Sequence, residues 1–156
     1  MPIASGVGKA LTGRYEPRLD NKSRFTVPAR WYERMGSPES VYVSQSFTSK
    51  TYLGVFAEGD FEKRLQPLRS RPLSDEKARD FLRVISNRTV LIPVDAQNRI
   101  RIPDNFLQYA GIKSDLVLSG SDEHFEVWSA ANLPKERMED EQRAADNVQC
   151  AKELGF

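Results

Sequence analysis

The stretch that decides the fold is LDNKSRFTVP at residues 19–28, which returns in altered form as VDAQNRIRIP at residues 94–103. Both segments contain the pattern Asp-x-x-x-Arg, then two apolar residues at alternate positions, and a proline at the same place. An acid, a base and a proline kept in one register are stronger evidence of duplication than any single short motif. The chain is therefore predicted to contain two copies of one structural unit.

The match between the two copies continues beyond these segments. The further matched pairs are Trp31 with Phe106, Gly36 with Gly111, Val41 with Leu116, Val43 with Leu118 and, after a small difference in loop length, Phe56 with Trp128. Each copy is predicted to form a strand, a tight Asp-x-x-x-Arg loop, a second strand, a short helix and a hairpin. We expect the recurring aromatic side chains to pack in the core rather than to stack on bases; they are Trp31, Phe106, Phe125 and Trp128.

The second strand of each copy leads directly into the short helix. Apolar and polar residues alternate through residues 25–27, and this period of two places one face of the strand on the core. Pro28 and Pro103 fit the first position of a helix, where their missing N–H is not needed. Gly36 and Gly111 supply a left-handed turn just past the helix end, so each helix should be about two turns long.

Two hairpins complete the copies. Residues 41–43 are predicted to pair with residues 53–56 across a turn rich in Ser and Thr. In the second copy, residues 116–118 should pair with residues 125–128 across a turn at residues 120–122.

Helical segments are predicted between the copies and after the second one. A shorter helix should begin near Asp60, with Pro67 and Pro72 bracketing its end. Residues 74–76 are predicted to form the N-terminal cap of a second helix, with acidic residues in its first turn. Its apolar stripe comprises Ala78, Phe81, Leu82 and Ile85.

The predicted organisation has five parts. They are a flexible N-terminal extension at residues 1–10, a first repeat at 11–59, a helical connector at 60–88, a second repeat at 89–133, and a C-terminal helix and tail at 134–156. The C-terminal helix should run from Pro134 to about Leu154 on the surface.

Composition indicates an ordinary globular protein, with 39% hydrophobic and 29% charged residues and a net charge of +1. The charge is unevenly spread, because residues 1–36 carry seven Lys or Arg against three Asp or Glu. This distribution permits a basic face on a nearly neutral protein. No membrane span or signal peptide is apparent, so we expect a cytoplasmic protein associated with the nucleoid.

The two Asp-x-x-x-Arg cores, the helical segment between them and a final FEVW strand resemble the MraZ family over about residues 13–134. The resemblance implies an α+β fold with two tandem swapped-hairpin, AbrB-like half-domains in a pseudo-two-fold arrangement, joined by helices and followed by a C-terminal helix. It implies a homo-oligomeric ring that binds direct repeats in promoter DNA, upstream of the division and cell-wall gene cluster.

The loops carry the candidate site residues. An Asp entering a tight turn accepts hydrogen bonds from the following N–H groups, so Asp20 and Asp95 are predicted to structure the loops. An arginine offers a planar, permanently charged group that grips a phosphate or a guanine edge with two bonds. The predicted DNA-binding residues are Lys22, Arg24, Arg14, Arg99 and Arg101.

The two loops are expected to differ in two ways. The second loop has Gln97 where the first has Lys22, so the first should bind DNA more strongly. The residue before the arginine, often Gly in the family that the chain resembles, is Ser23 in the first loop and Asn98 in the second. Because Asn tolerates a left-handed backbone better than Ser, the first loop is expected to form a slightly different turn.

Three other interpretations remain open at this stage. The Asp-x-x-x-Arg pattern could be an ion pair that only locks a hairpin. Asp20 and Asp95 could form a catalytic dyad of the aspartic-protease type, although an arginine close to each would hold it ionised, and we expect no enzyme. The chain could act as a protein-interaction or antitoxin-like module. With one cysteine, Cys150, and one histidine, His124, we expect no metal site, no cofactor and no small-molecule substrate.

Overall fold

The structure, a computed structural model, describes residues 9–48, 50–132 and 144–156. Strands and helices alternate in an α+β arrangement, and the order of elements is the same in both copies of the repeat. In chain order the elements are β1 (Arg14–Tyr15), β2 (Arg24–Thr26), α1 (Ala29–Arg34), β3 (Ser40–Gln45), β4 (Leu53–Ala57), α2 (Glu58–Arg69), α3 (Glu76–Asn87), β5 (Thr89–Pro93), β6 (Arg99–Arg101), α4 (Asp104–Ala110), β7 (Leu116–Ser121), β8 (His124–Ser129) and α5 (Ala144–Glu153).

The strands form two antiparallel sheets that the two copies share. The larger sheet has the order β1-β7-β8-β4-β3-β5, and the smaller one pairs β2 with β6. Strand β1 of the first copy therefore pairs with β7 of the second, and β5 of the second pairs with β3 of the first. Reversing the order of the larger sheet exchanges the equivalent strands of the two copies. The fold is thus the predicted pair of AbrB-like half-domains in a pseudo-two-fold arrangement, and each half completes the sheet of the other.

Both predicted hairpins are present. Strand β3 pairs with β4 from Val41 opposite Ala57 to Gln45 opposite Leu53. Strand β7 pairs with β8 along its whole length, but it continues through Gly120 to Ser121, which lies opposite His124. The turn of the second hairpin is therefore at residues 122–123, slightly later than the sequence suggested.

The main core lies between the larger sheet, the β2–β6 ribbon and the two short helices. Trp31 is 1% exposed and its ring centroid lies 5.1 Å from that of Phe125, which is fully buried. Phe106 is also buried in this core. Trp128 packs on the opposite face of the sheet with Val117 and Tyr52. The expectation that the recurring aromatic residues are packing residues is confirmed.

The short helices have the predicted length but begin one residue later than expected. Pro28 and Pro103 are the N-cap residues with extended ψ values of 131° and 147°, rather than the first helical residues. The carbonyl of Pro28 accepts the first helical hydrogen bond, from the N–H of Tyr32 at 2.9 Å. Gly36 and Gly111 have φ values of 89° and 67°, as a left-handed turn after a helix requires.

The connector helices confirm one prediction and correct two. Asp75 caps α3 by accepting a hydrogen bond from the N–H of Ala78 at 3.1 Å. Phe81 does not join the buried face of α3; its side chain is 42% exposed and packs edge-on against Phe47. Helix α2 does not end at Pro67 but passes through it to Arg69. A proline within the last turn leaves only one carbonyl without its partner, and the buried contacts of α2 outweigh that loss.

The ends of the chain lie partly outside the described residues. Those parts include residues 1–8 of the predicted extension and residues 133–143, where the C-terminal helix was predicted to start. Leu11 is 1% exposed and its N–H bonds to the carbonyl of Asp122, so Leu11 is part of the core. The described part of the tail forms α5, on the surface. None of the helices in the described ranges combines the length and apolar character that a membrane crossing requires.

Candidate nucleic-acid interface

Asp20 organises the first loop through three hydrogen bonds. One carboxylate oxygen accepts the backbone N–H groups of Lys22 and Arg24, both at 2.9 Å. The other accepts the Nε–H of Arg24 at 2.8 Å. The backbone closes the same turn, because the N–H of Asp20 bonds to the carbonyl of Arg24 at 2.9 Å. Loop backbone and arginine side chain are therefore held by one carboxylate.

The second loop repeats this arrangement around Asp95. Its carboxylate accepts the N–H groups of Gln97 and Arg99 at 2.9 and 2.8 Å, and the Nε–H of Arg99 at 2.8 Å. The expected difference between the turns is wrong, since Ser23 and Asn98 both have a φ of 60°. The hydrogen bonds to the carboxylate offset the cost of a left-handed backbone at Ser23, which is about 1–2 kcal/mol.

Both carboxyl groups are held in the ionised form. The backbone N–H of Arg24 is the main cause that lowers the pKa of Asp20, and the bonds from Lys22 and from the guanidinium of Arg24 act in the same direction. The backbone N–H of Arg99 lowers the pKa of Asp95 in the same way. A dyad of the aspartic-protease type needs one carboxyl with a raised pKa, so this chemistry does not favour that alternative.

Strands β2 and β6 join the two loops into a short ribbon. Phe25 lies opposite Ile100, and both side chains are buried in the core. Because side chains alternate between the faces of a strand, the residues on either side of this pair point outward. The outward-facing residues are Arg24, Thr26, Arg99 and Arg101. The ribbon thus presents three arginines on one face.

The register changes how the candidate residues are grouped. Arg101 follows the second loop in sequence, but its Cα partner across the ribbon is Arg24 of the first copy, whereas Arg99 lies opposite Thr26. One end of the ribbon therefore carries Arg24 and Arg101 next to the loop of Lys22. Sequence reasoning missed this grouping and did not single out Thr26, although period-two alternation places Thr26 on the same face as Arg24.

Arg14 is separate from the ribbon. It lies in β1 at an edge of the larger sheet, opposite Ser119, with its side chain exposed. None of the described contacts joins Arg14 to the β2–β6 ribbon. The structure therefore brings together four of the five predicted DNA-binding residues.

The basic side chains of the ribbon remain accessible. In the described ranges, neither the side chain of Lys22 nor that of Arg101 has a hydrogen bond or an ion pair to an acid, and both residues are exposed. Arg24 bonds to Asp20 only through Nε, which leaves its terminal nitrogens able to reach an outside acceptor. A guanidinium that is held in place by a hydrogen bond at Nε, and whose terminal N–H groups are available as donors, is suited to recognise phosphates or base edges.

A second polar cluster lies on the far side of the larger sheet. His124 stacks on Phe56 with ring centroids 4.5 Å apart, and Arg64 lies over the same ring. Arg64 also bonds to Glu123 at 2.6 Å. Phe56, Arg64 and His124 border a cavity of about 540 Å³ between the sheet and helices α2 and α3. In the part of the chain that the structure describes, no cluster of His, Cys, Asp and Glu is suited to hold a metal ion.

Comparisons with known proteins agree with this architecture. The model of a family described as "MraZ protein, putative antitoxin-like" matches residues 87–149. A Kocuria rhizophila protein named transcriptional regulator MraZ is 36% identical over 120 residues, which cover 76% of this chain and 80% of that protein. A protein of the same name from Micrococcus luteus is 35% identical with the same coverage, and one from Thermobifida fusca is 32% identical over 86% of this chain and 91% of its own length.

The fold and the paired loops define an α+β protein of the AbrB-like class, in which two duplicated half-domains share their sheets. Within that class the chain belongs to the MraZ family, a family of transcriptional regulators.

Proposed function

We propose that this protein is a sequence-specific transcriptional regulator that binds double-stranded DNA through the β2–β6 ribbon. The observation that carries the proposal is the ribbon itself, which presents Arg24, Arg99 and Arg101 on one outward face. Two loops held by Asp20 and Asp95 flank this face. Rigid loops lower the entropy lost on binding, because the arginines are already oriented in the free protein.

A two-stranded antiparallel ribbon has the right dimensions for DNA. The major groove of B-DNA is about 12 Å wide and admits such a ribbon, whose outward side chains then reach base edges. In this arrangement Arg99 reaches base edges, Arg24 contacts a base edge and a neighbouring phosphate, and Lys22 and Arg101 neutralise phosphates. Arg14, on the edge of the larger sheet, is assigned a peripheral phosphate contact outside the ribbon.

We further propose that a homo-oligomeric ring presents several ribbons to repeated promoter sites. A single ribbon makes few contacts, and linked subunits turn later contacts into intramolecular ones. The target implied by the resemblance to the MraZ family is a set of repeats upstream of the division and cell-wall gene cluster. The proposal places the protein in the cytoplasm, on the nucleoid, and requires no cofactor, metal or small-molecule substrate.

The experiment compares two arginine variants in a gel-shift or fluorescence assay with the DNA upstream of the gene for this protein. Arg24→Ala should lose specific binding by at least about 100-fold, because a bidentate contact and a phosphate contact each contribute about 1–3 kcal/mol. Arg83→Ala is the matched control, since Arg83 is an exposed arginine of α3, outside the ribbon, that is paired with Asp80. Circular dichroism checks that both variants are folded. Equal affinities for the two variants would place the DNA contact elsewhere.

A second candidate function is a protein-interaction module of the antitoxin-like kind. Two observations favour it: the description of the matching family model, and the exposed aromatic pair of Phe47 and Phe81, which are 48% and 42% exposed. The variant Phe81→Ser separates the candidates. It should leave the affinity for a duplex with a single site unchanged if the ribbon alone binds DNA, and loss of regulation in the cell with intact single-site binding and intact assembly would favour a protein partner.

A further inference from the structure

The two ends of the β2–β6 ribbon have the same backbone but different side chains. Each end has a loop whose aspartate accepts the same three hydrogen bonds. In each loop the residue before the arginine has the same left-handed backbone conformation. The backbone bonds that join the strands are also matched, from Val27 to Asn98 at 2.8 Å and from Ile102 to Ser23 at 3.0 Å. Any difference in binding between the ends must therefore come from side chains.

The ends differ in charge. At the first end Lys22, Arg24 and Arg101 face a single carboxylate, that of Asp20, which leaves a formal charge of +2. At the second end Arg99 is balanced by Asp95, and its cross-strand neighbour is the uncharged Thr26, so the formal charge is zero. We name these the charged end and the neutral end.

The charged end contains a repulsive pair. Arg24 and Arg101 are direct cross-strand partners on the same outward face, and like charges in this position destabilise a sheet. Arg24 has an acid to offset its charge, but Arg101 has no ion-pair partner among the described residues. An anion bound between the two guanidinium groups would remove this repulsion, whereas the neutral end has no such repulsion to relieve.

We propose that Arg101 of the second copy completes a phosphate-binding anchor around Arg24 of the first, and that each subunit therefore binds a non-palindromic DNA site in one fixed orientation. The inference rests on the proposed DNA binding and adds the direction of binding and the residue that sets it. Although the fold is nearly two-fold symmetric, the DNA-binding face is not. The anchor lies at the charged end, and the neutral end reads DNA through Gln97 and Arg99 with fewer phosphate contacts.

The first test uses a matched pair of substitutions at equivalent positions of the two copies. Arg101→Thr should raise the melting temperature, because it removes the repulsion, and should weaken DNA binding about tenfold at moderate salt. The slope of log affinity against log salt should become shallower by about 0.9, as expected for one lost phosphate contact. Thr26→Arg, the control, creates the same repulsion at the neutral end and should lower the melting temperature. If Arg101→Thr leaves both affinity and salt slope unchanged, Arg101 is not part of an anchor.

The second test measures orientation directly. An iron chelate that cleaves DNA is attached to a cysteine introduced at the exposed loop position Ala96, in a Cys150→Ser background, and a duplex with one asymmetric site is cleaved. The chelate on the wild-type ribbon should cleave the DNA on one side of the site only. The fourfold variant Lys22→Gln, Thr26→Arg, Gln97→Lys, Arg101→Thr keeps the composition but exchanges the two ends, so it should cut on the other side.

The outcomes separate the two proposals. Cleavage on both sides by the wild-type ribbon, or on an unchanged side by the fourfold variant, overturns the orientation while leaving DNA binding intact. Absence of any specific binding by the wild-type protein overturns the proposed function instead. If the fourfold variant does not fold, Arg101→Thr decides the matter, because loss of the anchor should shift one-sided cleavage toward two-sided cleavage, and unchanged one-sided cleavage would overturn the role of Arg101.

Discussion

At the level of single residues, one carboxylate organises each loop of the ribbon. Asp20 holds two backbone N–H groups and the side chain of Arg24 at once, so the arginine is fixed before any DNA arrives. The simple ion-pair interpretation and the DNA-binding interpretation of the motif are therefore compatible. The ion pair uses Nε, and recognition would use the terminal nitrogens.

The first prediction concerns the stability of this loop. Asp20→Ala should lower the melting temperature by several degrees, because it leaves the N–H groups of Lys22 and Arg24 without their acceptor. Since the folded pKa of Asp20 lies below its ordinary value, its contribution is present above the unfolded pKa and is lost as pH falls through the folded pKa. Calorimetry at neutral pH measures the effect. Asp80→Ala, which removes only an exposed pair with Arg83, should change the melting temperature little.

The second prediction concerns the imidazole of His124. Burial lowers the pKa of His124 to about 4, and the nearby charge of Arg64 acts in the same direction, while Glu123 and Asp122 oppose the shift. The folded protein keeps this imidazole neutral, whereas the unfolded chain protonates it below about pH 6.5. Stability should therefore be complete above pH 6.5 and fall as pH is lowered toward 4, by on the order of 1–2 kcal/mol after solvent screening. Urea unfolding from pH 7 to 4 measures this loss. His124→Phe keeps a ring against Phe56 and should remove that part of the pH dependence; an unchanged pH profile would contradict the assignment.

At the level of elements, the sequence predicted the positions of the strands and helices better than it predicted which strands pair with each other. Period-two alternation and the turn residues were enough to define both hairpins and both short helices, because these are local signals. Which strand pairs with which was not decidable in this way. Two copies of one repeat present equivalent strand edges, so pairing within a copy and pairing between copies look the same in the sequence. For that reason the sequence alone did not show that Arg101 lies opposite Arg24, beside the first loop.

Two local expectations failed because specific contacts outweighed the intrinsic preferences of single residues. Pro67 was expected to mark the end of α2, yet Leu65 and Leu68 on either side pack against the buried cluster that contains Phe61 and hold the last turn in place. Ser23 was expected to distort the first loop, yet the carboxylate of Asp20 imposes the turn. In both cases, several specific contacts outweigh a modest unfavourable free energy of the local backbone conformation.

The third prediction concerns the junction of the N-terminal segment with β7. A Cβ at Gly120 would lie 2.4 Å from the carbonyl oxygen of Leu11, so Gly120→Ala must push the segment away and expose the buried Leu11. We expect a loss of about 1–3 kcal/mol in the free energy of unfolding, measured by denaturant titration. Gly59→Ala in α2 is the control. A Cβ there meets nothing within 4 Å, and alanine favours a helix, so this variant should be as stable as the parent or slightly more. Equal stability of both variants would contradict the close approach.

At the level of the whole molecule, the shared sheets restrict where subunits can associate. The edge strand β1 has only two residues, and the other edge strand, β5, ends in Pro93, so pairing of edges between subunits is disfavoured. Exposed apolar residues on helix α3 and in the neighbouring β3–β4 loop offer a different contact surface; they include Phe47, Phe81 and Val84. We expect ring contacts to use such a patch, which leaves the ribbon of every subunit accessible to DNA.

The last prediction joins this assembly to recognition. If a ring presents several ribbons to one DNA molecule, each further promoter repeat adds an effectively intramolecular contact and should raise affinity, by up to about 10²- to 10⁴-fold in total. Because the ribbons approach from one side, the gain requires repeats on one helical face, about 10 base pairs or a multiple apart. Binding isotherms for duplexes with one, two and three repeats, at correct and half-turn-shifted spacing, measure both effects. Each correctly placed repeat should also steepen the salt dependence, since the charged end of another ribbon neutralises more phosphates. A single repeat that binds as tightly as three, or half-turn shifts without effect, would show that subunits bind one at a time and would contradict multivalent binding.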